Sequence, residues 1–447
     1  MTVDKELREK LRALGQKVLC EVSPERCITR YLRREGTVLY AGLSSFDLAR
    51  FRRVLVVGFG KAASGMAQAL EKILGDFLDG GMVIVGSSSS AETKRIRVVN
   101  ASHPIPDERT VSASHELLEL ARTAGPQDFL IVLISGGGSA LFEIPARGLS
   151  LEDLQCTTDL LLRCGATIRE MNVVRKHLSA VKGGLLLHQT QAGAILAVIL
   201  SDIPGDDVGT VASGPVSADP STFAEARAIL ERYGAWDFLP ASIRAYIHRG
   251  EHGLVPETVK PSDPSLAKVA HLVVGSGKLA AEVAQEFGIQ MGFHTQILTT
   301  TMQGEAREIG KFLGSIAAEE VRFARPLPSP ALFILAGETT VTVRGAGKGG
   351  RNQELALAFA LAVEGLAGVA LLALATDGQD GCTDAAGGIV DGGTAGRIKA
   401  AGIDPHRALS ANDSYTALSV SGDLLLLGPT GTNVADLVLL GVERRGA

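Results

Sequence analysis

The sequence predicts an α/β protein of about two domains. Three observations carry this. Apolar runs of strand length recur along the chain, each ending in a turn signal and followed by a helical pattern. These runs lack polar alternation, as strands buried on both faces of a parallel sheet do. The chain, with 447 residues and 46% hydrophobic content, is too long for one ordinary core.

The clearest runs are "VLVVG" (54–58), "GMVIVG" (81–86), "FLIVLISGGG" (129–138), "AILAVILSD" (194–202), "HLVVGSG" (271–277), "ALFILAGE" (331–338) and "ALLALATDG" (370–378). Glycine, serine, aspartate and lysine cluster at their carboxyl ends, where ligands bind in open α/β sheets. A Pro-, Gly- and charge-rich stretch at 248–268 reads as a linker, which sets an N-terminal domain at 1–247 and a C-terminal one at 248–447. A second break falls at 322–332. The apolar tail "DLLLLGPTGTNVADLVLLGV" reads as strand-turn-helix or a strand pair, and the segment from about 405 to 447 could pack back on the first domain. "VLVVGFGKAASGMAQAL" (54–70) echoes "HLVVGSGKLAAEVAQEF" (271–287), which suggests that each half begins an α/β unit.

Composition excludes several classes. Aromatics are 4% with one Trp, so the cores are built from Ala, Leu, Val and Ile. A net charge of −5 gives no sign of a nucleic-acid partner. Cys20, Cys27, Cys156, Cys164 and Cys382 are odd in number and form no C-x-x-C pair, as expected of reduced thiols in the cytoplasm. No apolar run has the length of a membrane span and the N-terminus lacks a signal core, so no membrane partner is expected.

The first turn, "GFGKAA", has the G-x-G-x-x-A spacing of a dinucleotide site, with Gly58 and Gly60 on the turn. The confirming acid at the end of the second strand is missing: that strand runs into Gly86 and serines 87–90, and Asp76 and Asp79 precede it. NAD is therefore disfavoured, and a full P-loop is absent. Lys61 instead puts an ammonium where phosphate oxygens gather. A second loop, Ser135, Gly136, Gly137, Gly138 and Ser139, leaves backbone N–H groups free to cradle an anion. A third, "GKGGRNQE", sets Lys348 and Arg351 at a helix start, which is unfavourable unless an anion sits there.

The stretch 169–184 reads as a helix with Asn172, Arg175, Lys176, Ser179 and Lys182 largely along one side. Acids gather at two strand ends, at Asp202 and at Asp377, with Asp206, Asp207, Asp380, Asp384 and Asp391 nearby. Magnesium prefers one or two carboxylates with phosphate oxygens and water, so at most two of these are expected to serve metal. His103 reads as structural or substrate-lining. This inventory fits phosphoryl transfer to a small acidic substrate, which is mainly positioning and charge neutralisation.

At these residues the chain resembles the class II glycerate kinases with a C-terminal MOFRL module. The resemblance covers nearly the whole chain through "VVGFGKAA", "SHPIPDE", "LISGGGSAL", "REMNVVRKHLSAVKGG", "LSDIPGDDVGTVASGP", "GETTVTVRG", "GKGGRNQELAL", "ATDGQDGCTDAAGGIVDG", "NDSY" and "GPTGTNVADL". It implies two α/β/α domains, the first Rossmann-like with a mainly parallel sheet, facing each other across a cleft. It implies ATP- and Mg2+-dependent phosphorylation of D-glycerate at the 2-hydroxyl, with Lys61 and Arg351 as the catalytic cations. Asp202 or Asp377 would position the hydroxyl or hold magnesium; assembly as a homodimer stays open. Two positions depart from the pattern, Cys382 and Lys278, the latter offering a second cation. The rivals are an NAD(P)-dependent hydroxypyruvate reductase, a name similar sequences have carried, and a non-catalytic sugar-acid or nucleotide sensor.

Overall fold

The computed structural model describes residues 3–86 and 92–444, so serines 87–90 lie outside the described residues. The chain divides into two compact units. One comprises residues 27–201 and 206–274; the other comprises residues up to Arg26, 202–205 and the chain from Gly275 onward.

The first unit is built on a six-stranded sheet in the order Ile96–Asn100, Leu78–Val85, Arg53–Phe59, Asp128–Ser135, Ala194–Leu200 and Val269–Gly275. The pairings along the first five strands are all parallel. From Arg53–Phe59 the chain winds outward through Leu78–Val85 to Ile96–Asn100, then returns to Asp128–Ser135 on the other side. That reversal is a topological switch point. It puts the turn after Phe59 beside the loop after Ser135, where α/β sheets open a ligand crevice. A small antiparallel sheet (residues 32–47) and a helical cluster cored by Leu161, Val174, Leu230 and Ile247 complete the unit.

The second unit holds a mixed sheet in the order His294–Met302, Ala331–Gly337, Asp436–Val442, Val369–Ala375, Gly387–Asp391 and Leu424–Leu425. Asp436–Val442 runs antiparallel between Ala331–Gly337 and Val369–Ala375, and all seven of its residues are buried. An apolar run signals cover on both faces; it does not signal strand direction.

All seven runs read from the sequence are strands, at 53–59, 78–85, 128–135, 194–200, 269–275, 331–337 and 369–375. The domain boundaries differ. Val269–Gly275 closes the first sheet, so the unit boundary falls at its end and not at 247/248, and the 271–277 echo does not open the second half. The tail from 405 onward stays with the second unit; its residues 436–442 are a central strand of that sheet.

The N-terminal helix Val3–Glu21 also belongs to the second unit. Leu7, Leu11, Leu14 and Val18 form one buried stripe. Leu7 and Leu11 sit over Gly441, where a Cβ would come within 2.9 Å of the Leu7 side chain. Arg8 ties the helix down through Asp391 at 2.8 Å and Asp423 at 2.6 Å.

Candidate active site

In the first unit the two Gly turns are welded together. The Gly60 N–H donates to Ile84 O, Lys61 N–H to Gly136 O at 2.9 Å, and Ala62 N–H to Ser135 Oγ at 3.1 Å. Gly60 has φ +125°, and a Cβ there would lie 2.2 Å from Ser135 Oγ, so only glycine fits. A Cβ at Gly58 would lie 2.7 Å from Leu133 Cβ. The backbone donors of "GFGKAA" are thus consumed internally. The N–H groups of Gly136, Gly137, Gly138 and Ser139 record no acceptor among the described residues. The second loop, not the first, is the one whose N–H groups are open to an anion.

Gly137, at φ +80°, lies against both the Lys61 stem and the His103 ring: a Cβ there would sit 3.2 Å from Lys61 Cγ and 3.1 Å from His103 Nε2. The cradle therefore has a cation and an imidazole on its rim. Its far side is braced. Arg175 Nη2 donates to Ser139 O at 3.0 Å, and Ser139 Oγ bonds Ser213 Oγ at 2.8 Å, which donates on to Asn172 Oδ1 at 3.3 Å. Ala212 and Ser213 hold positive φ of 50° and 61°, a conformation that stores strain in non-glycine residues. Nothing in the pattern of "TVASGP" distinguished Ser213 beforehand.

The expected basic helix face does not form. The helix is Ile168–His177; Ser179 bridges to Pro145, which carries Ser179 and Lys182 off the helical spiral. Lys176 is buried against Asp219 at 3.4 Å. Lys182 is fully buried, 3.0 Å from Glu143 and 2.8 Å from Phe142 O. Burial pulls its pKa down to about 8, against the pull of Glu143. Lys176 and Lys182 are structural, and Asn172 and Arg175 are the members of that segment brought to the loop.

In the second unit Arg351 opens the helix Arg351–Ala362. The anion that the sequence demanded at this helix start is part of the chain. Asp380 accepts from Asn352 N–H at 3.1 Å and from Gln353 N–H at 2.9 Å, capping the helix from a distant loop. Arg351 Nη1 pairs with Glu338, and its Nε lies 3.3 Å from Asp436 Oδ2. Burial opposes the guanidinium charge, but Asp436, Glu338 and Asp380 outweigh it and raise the Arg351 pKa. Burial pushes the Asp436 carboxyl up to about 7 in spite of Arg351, and burial likewise raises Asp380.

Asp202 accepts from Asn433 Nδ2 at 3.2 Å, and Asn433 stands three residues before Asp436. Asp202 and Arg351, 149 positions apart in sequence, are thereby served by one turn. The Asp377 carboxylate accepts from Gln379 N–H at 3.1 Å within its own turn. Lys348 puts its ammonium 3.8 Å over the Tyr415 ring, whose hydroxyl donates to Asp384 at 2.7 Å. Lys278 is exposed and 3.9 Å from Glu282, so it adds no cation to Arg351. Among the described residues, no group of three or more His, Cys, Asp or Glu side chains could cage a metal ion. Glu338, Asp436 and Asn433 were missed, although "GETTVTVRG" and "GPTGTNVADL" contain them.

Residues 10–248 match a family described as a domain of unknown function, DUF4147, and residues 331–436 match the MOFRL family. A glycerate 2-kinase of Pyrococcus horikoshii is 45% identical over 98% of this chain and 97% of that protein. The chain belongs to the MOFRL-type glycerate kinase family. A crystal structure of a glycerate kinase from Thermotoga maritima superposes with TM-score 0.85 at 40% identity, covering 98% of this chain and 100% of that one. A protein of Agrobacterium vitis named putative hydroxypyruvate reductase is 40% identical over 87% of each chain. No helix among the described residues is long and apolar enough to cross a membrane.

Proposed function

We propose that this chain is an ATP-dependent D-glycerate 2-kinase of the cytoplasm. The full-length match to the Pyrococcus glycerate 2-kinase carries the reading. The geometry supports it with an open cradle of N–H groups rimmed by Lys61 in one unit and a guanidinium held among carboxylates in the other. In the transfer, the 2-hydroxyl oxygen bonds to the γ-phosphorus as the bond to the ADP oxygen breaks. The hydroxyl proton passes to Asp202, whose carboxylate accepts from the Asn433 side-chain amide. The loop 136–139 and Lys61 bind phosphate or carboxylate oxygens, and Arg351 stabilises charge on the transferring group.

The described carboxylates form no all-protein cage, so magnesium would be carried in on nucleotide phosphates, with Asp377 as the remaining candidate for a protein ligand. Bound there, magnesium would neutralise charge between the phosphates. Hydride transfer has less support, because the N–H groups a pyrophosphate would need at Gly60, Lys61 and Ala62 are engaged by Ile84, Gly136 and Ser135.

The test is phosphorus NMR of the protein with ATP, magnesium and D-glycerate, beside NADH absorbance with hydroxypyruvate. The expected result is a 2-phosphoglycerate signal and no NADH loss. NADH loss without phosphorylated product overturns the proposal.

A further inference from the structure

The motif "GPTGTNVADL" has no part in the chemistry above, yet its turn reaches both Asp202 and Arg351. Asn433 Oδ1 accepts from Ala435 N–H at 3.3 Å, which orients the amide so that Nδ2 donates to Asp202 Oδ2. Asp436, one residue on, faces one whole edge of the Arg351 guanidinium: Oδ2 is 3.3 Å from Nε and Oδ1 is 3.4 Å from Nη2. Asp436 is 2% exposed, while Glu338, on Nη1, is half-buried with its side chain 40% exposed. A long cationic side chain keeps several rotamers unless one edge is fixed. The buried Asp436 contact fixes that edge, and the more solvent-screened Glu338 contact holds only Nη1.

The turn itself is pinned. Thr430 Oγ1 donates to Thr376 O at 2.5 Å, Thr432 Oγ1 to Val22 O at 2.6 Å, and Val434 N–H to Thr376 Oγ1 at 2.9 Å. Ala435, between the two functional side chains, holds φ +67°, a conformation a non-glycine residue keeps only where its surroundings over-determine it. Strand Asp436–Val442, in the middle of the sheet, anchors the far end.

We propose that turn 430–436 is the positioning device for both groups, with Asn433 aligning the Asp202 carboxylate and Asp436 aligning the Arg351 guanidinium. The inference rests on the kinase reading and adds two positioning residues to it. It also carries a pH signature. Asp436 is faced by Arg351 and Asn352 from the helix, Asp380 from its loop and Glu338 from the end of strand Ala331–Gly337. With its carboxyl near neutral, protonation on the acid side of about pH 7 weakens its hold on Arg351, so kcat falls there.

The experiment measures 2-phosphoglycerate formation by the full chain with ATP, magnesium and D-glycerate across neutral pH. The variants are Asp436→Asn, Arg351→Ala, the pair combined, Asn433→Ala, Asp202→Asn and that pair combined. Asp436→Asn is expected to lower kcat about 10- to 100-fold with little change in KM, to lose the acid limb, and to add nothing in the Arg351→Ala background. An equal fold-loss in both backgrounds, or wild-type kcat, overturns the proposal. Should Asp436→Asn fail to fold, Asn433→Ala, which removes no buried charge, decides. A loss of about tenfold that vanishes in the Asp202→Asn background sustains the proposal, and an equal loss in both overturns it. Failure of the kinase reading shows separately, as no product from the wild-type chain, and takes this inference with it.

Discussion

Gly137→Ala tests the cradle directly. Gly137 has φ +80°, so an alanine there bears about 1–2 kcal/mol of left-handed strain. Its Cβ would meet His103 Nε2 at 3.1 Å and Lys61 Cγ at 3.2 Å, which is tight enough to push both side chains by a few tenths of an ångström. A misplacement of about 1 Å at a reacting group can cost about 10²-fold, so a shift of this size is worth about tenfold in kcat/KM. The strain alone lowers the melting temperature by about 2–8 °C. Gly165→Ala is the control: φ is +75° and nothing lies within 4 Å, so it shares the strain without the contact. Coupled-assay kinetics and thermal melts of both variants separate the two effects. The expected outcome is similar melting losses, with the kinetic loss confined to Gly137→Ala. Equal kcat/KM in the two variants would refute the placement of Lys61 and His103 on the rim of a working cradle.

Lys61→Ala and Arg351→Ala should each lower turnover by on the order of 10²-fold or more, the range for charge-stabilising groups; near-normal turnover removes that residue from the mechanism. Asp380→Ala leaves the backbone N–H groups of Asn352 and Gln353 without their acceptor, while the Gln353 amide keeps Thr383 Oγ1, and should cost about 2–4 kcal/mol in urea unfolding. A loss under about 0.5 kcal/mol would show that water can replace the cap. Glu257 gives a pH test. Burial raises its carboxyl pKa, but His177, the Phe223 N–H and Lys260 outweigh that and hold it down to about 2. The unfolded chain then binds the extra proton, so this stabilisation is present above about pH 4.5 and fades as pH falls toward 2, by on the order of 1 kcal/mol after solvent screening. Glu257→Gln should flatten that part of the stability profile; an unchanged acid slope would contradict the pairing.

The chain's local patterns determined a good deal by themselves. Seven strands announced themselves as apolar runs, because a strand covered on both faces admits no polar alternation, but the equally buried Gly387–Asp391 went unread among its glycines. Lys61, Arg351 and the 135–139 loop stood out because glycine and cations at strand ends are costly without a use. Three matters were decided only in three dimensions. Strand direction in the second sheet was one, since an apolar run reads the same either way. The placement of the first 26 residues was another, because a buried leucine stripe says that a partner exists and not which sheet it is. The last was the use of each charge. Lys176 and Lys182 read as members of one basic helix side suited to an anion, and Asp436 was not singled out within the apolar tail. Whether a charge meets ligand, water or another buried charge depends on residues brought from elsewhere in the chain, Asp219 and Glu143 for the lysines and Arg351 for Asp436, and those distances exist only once the chain has folded.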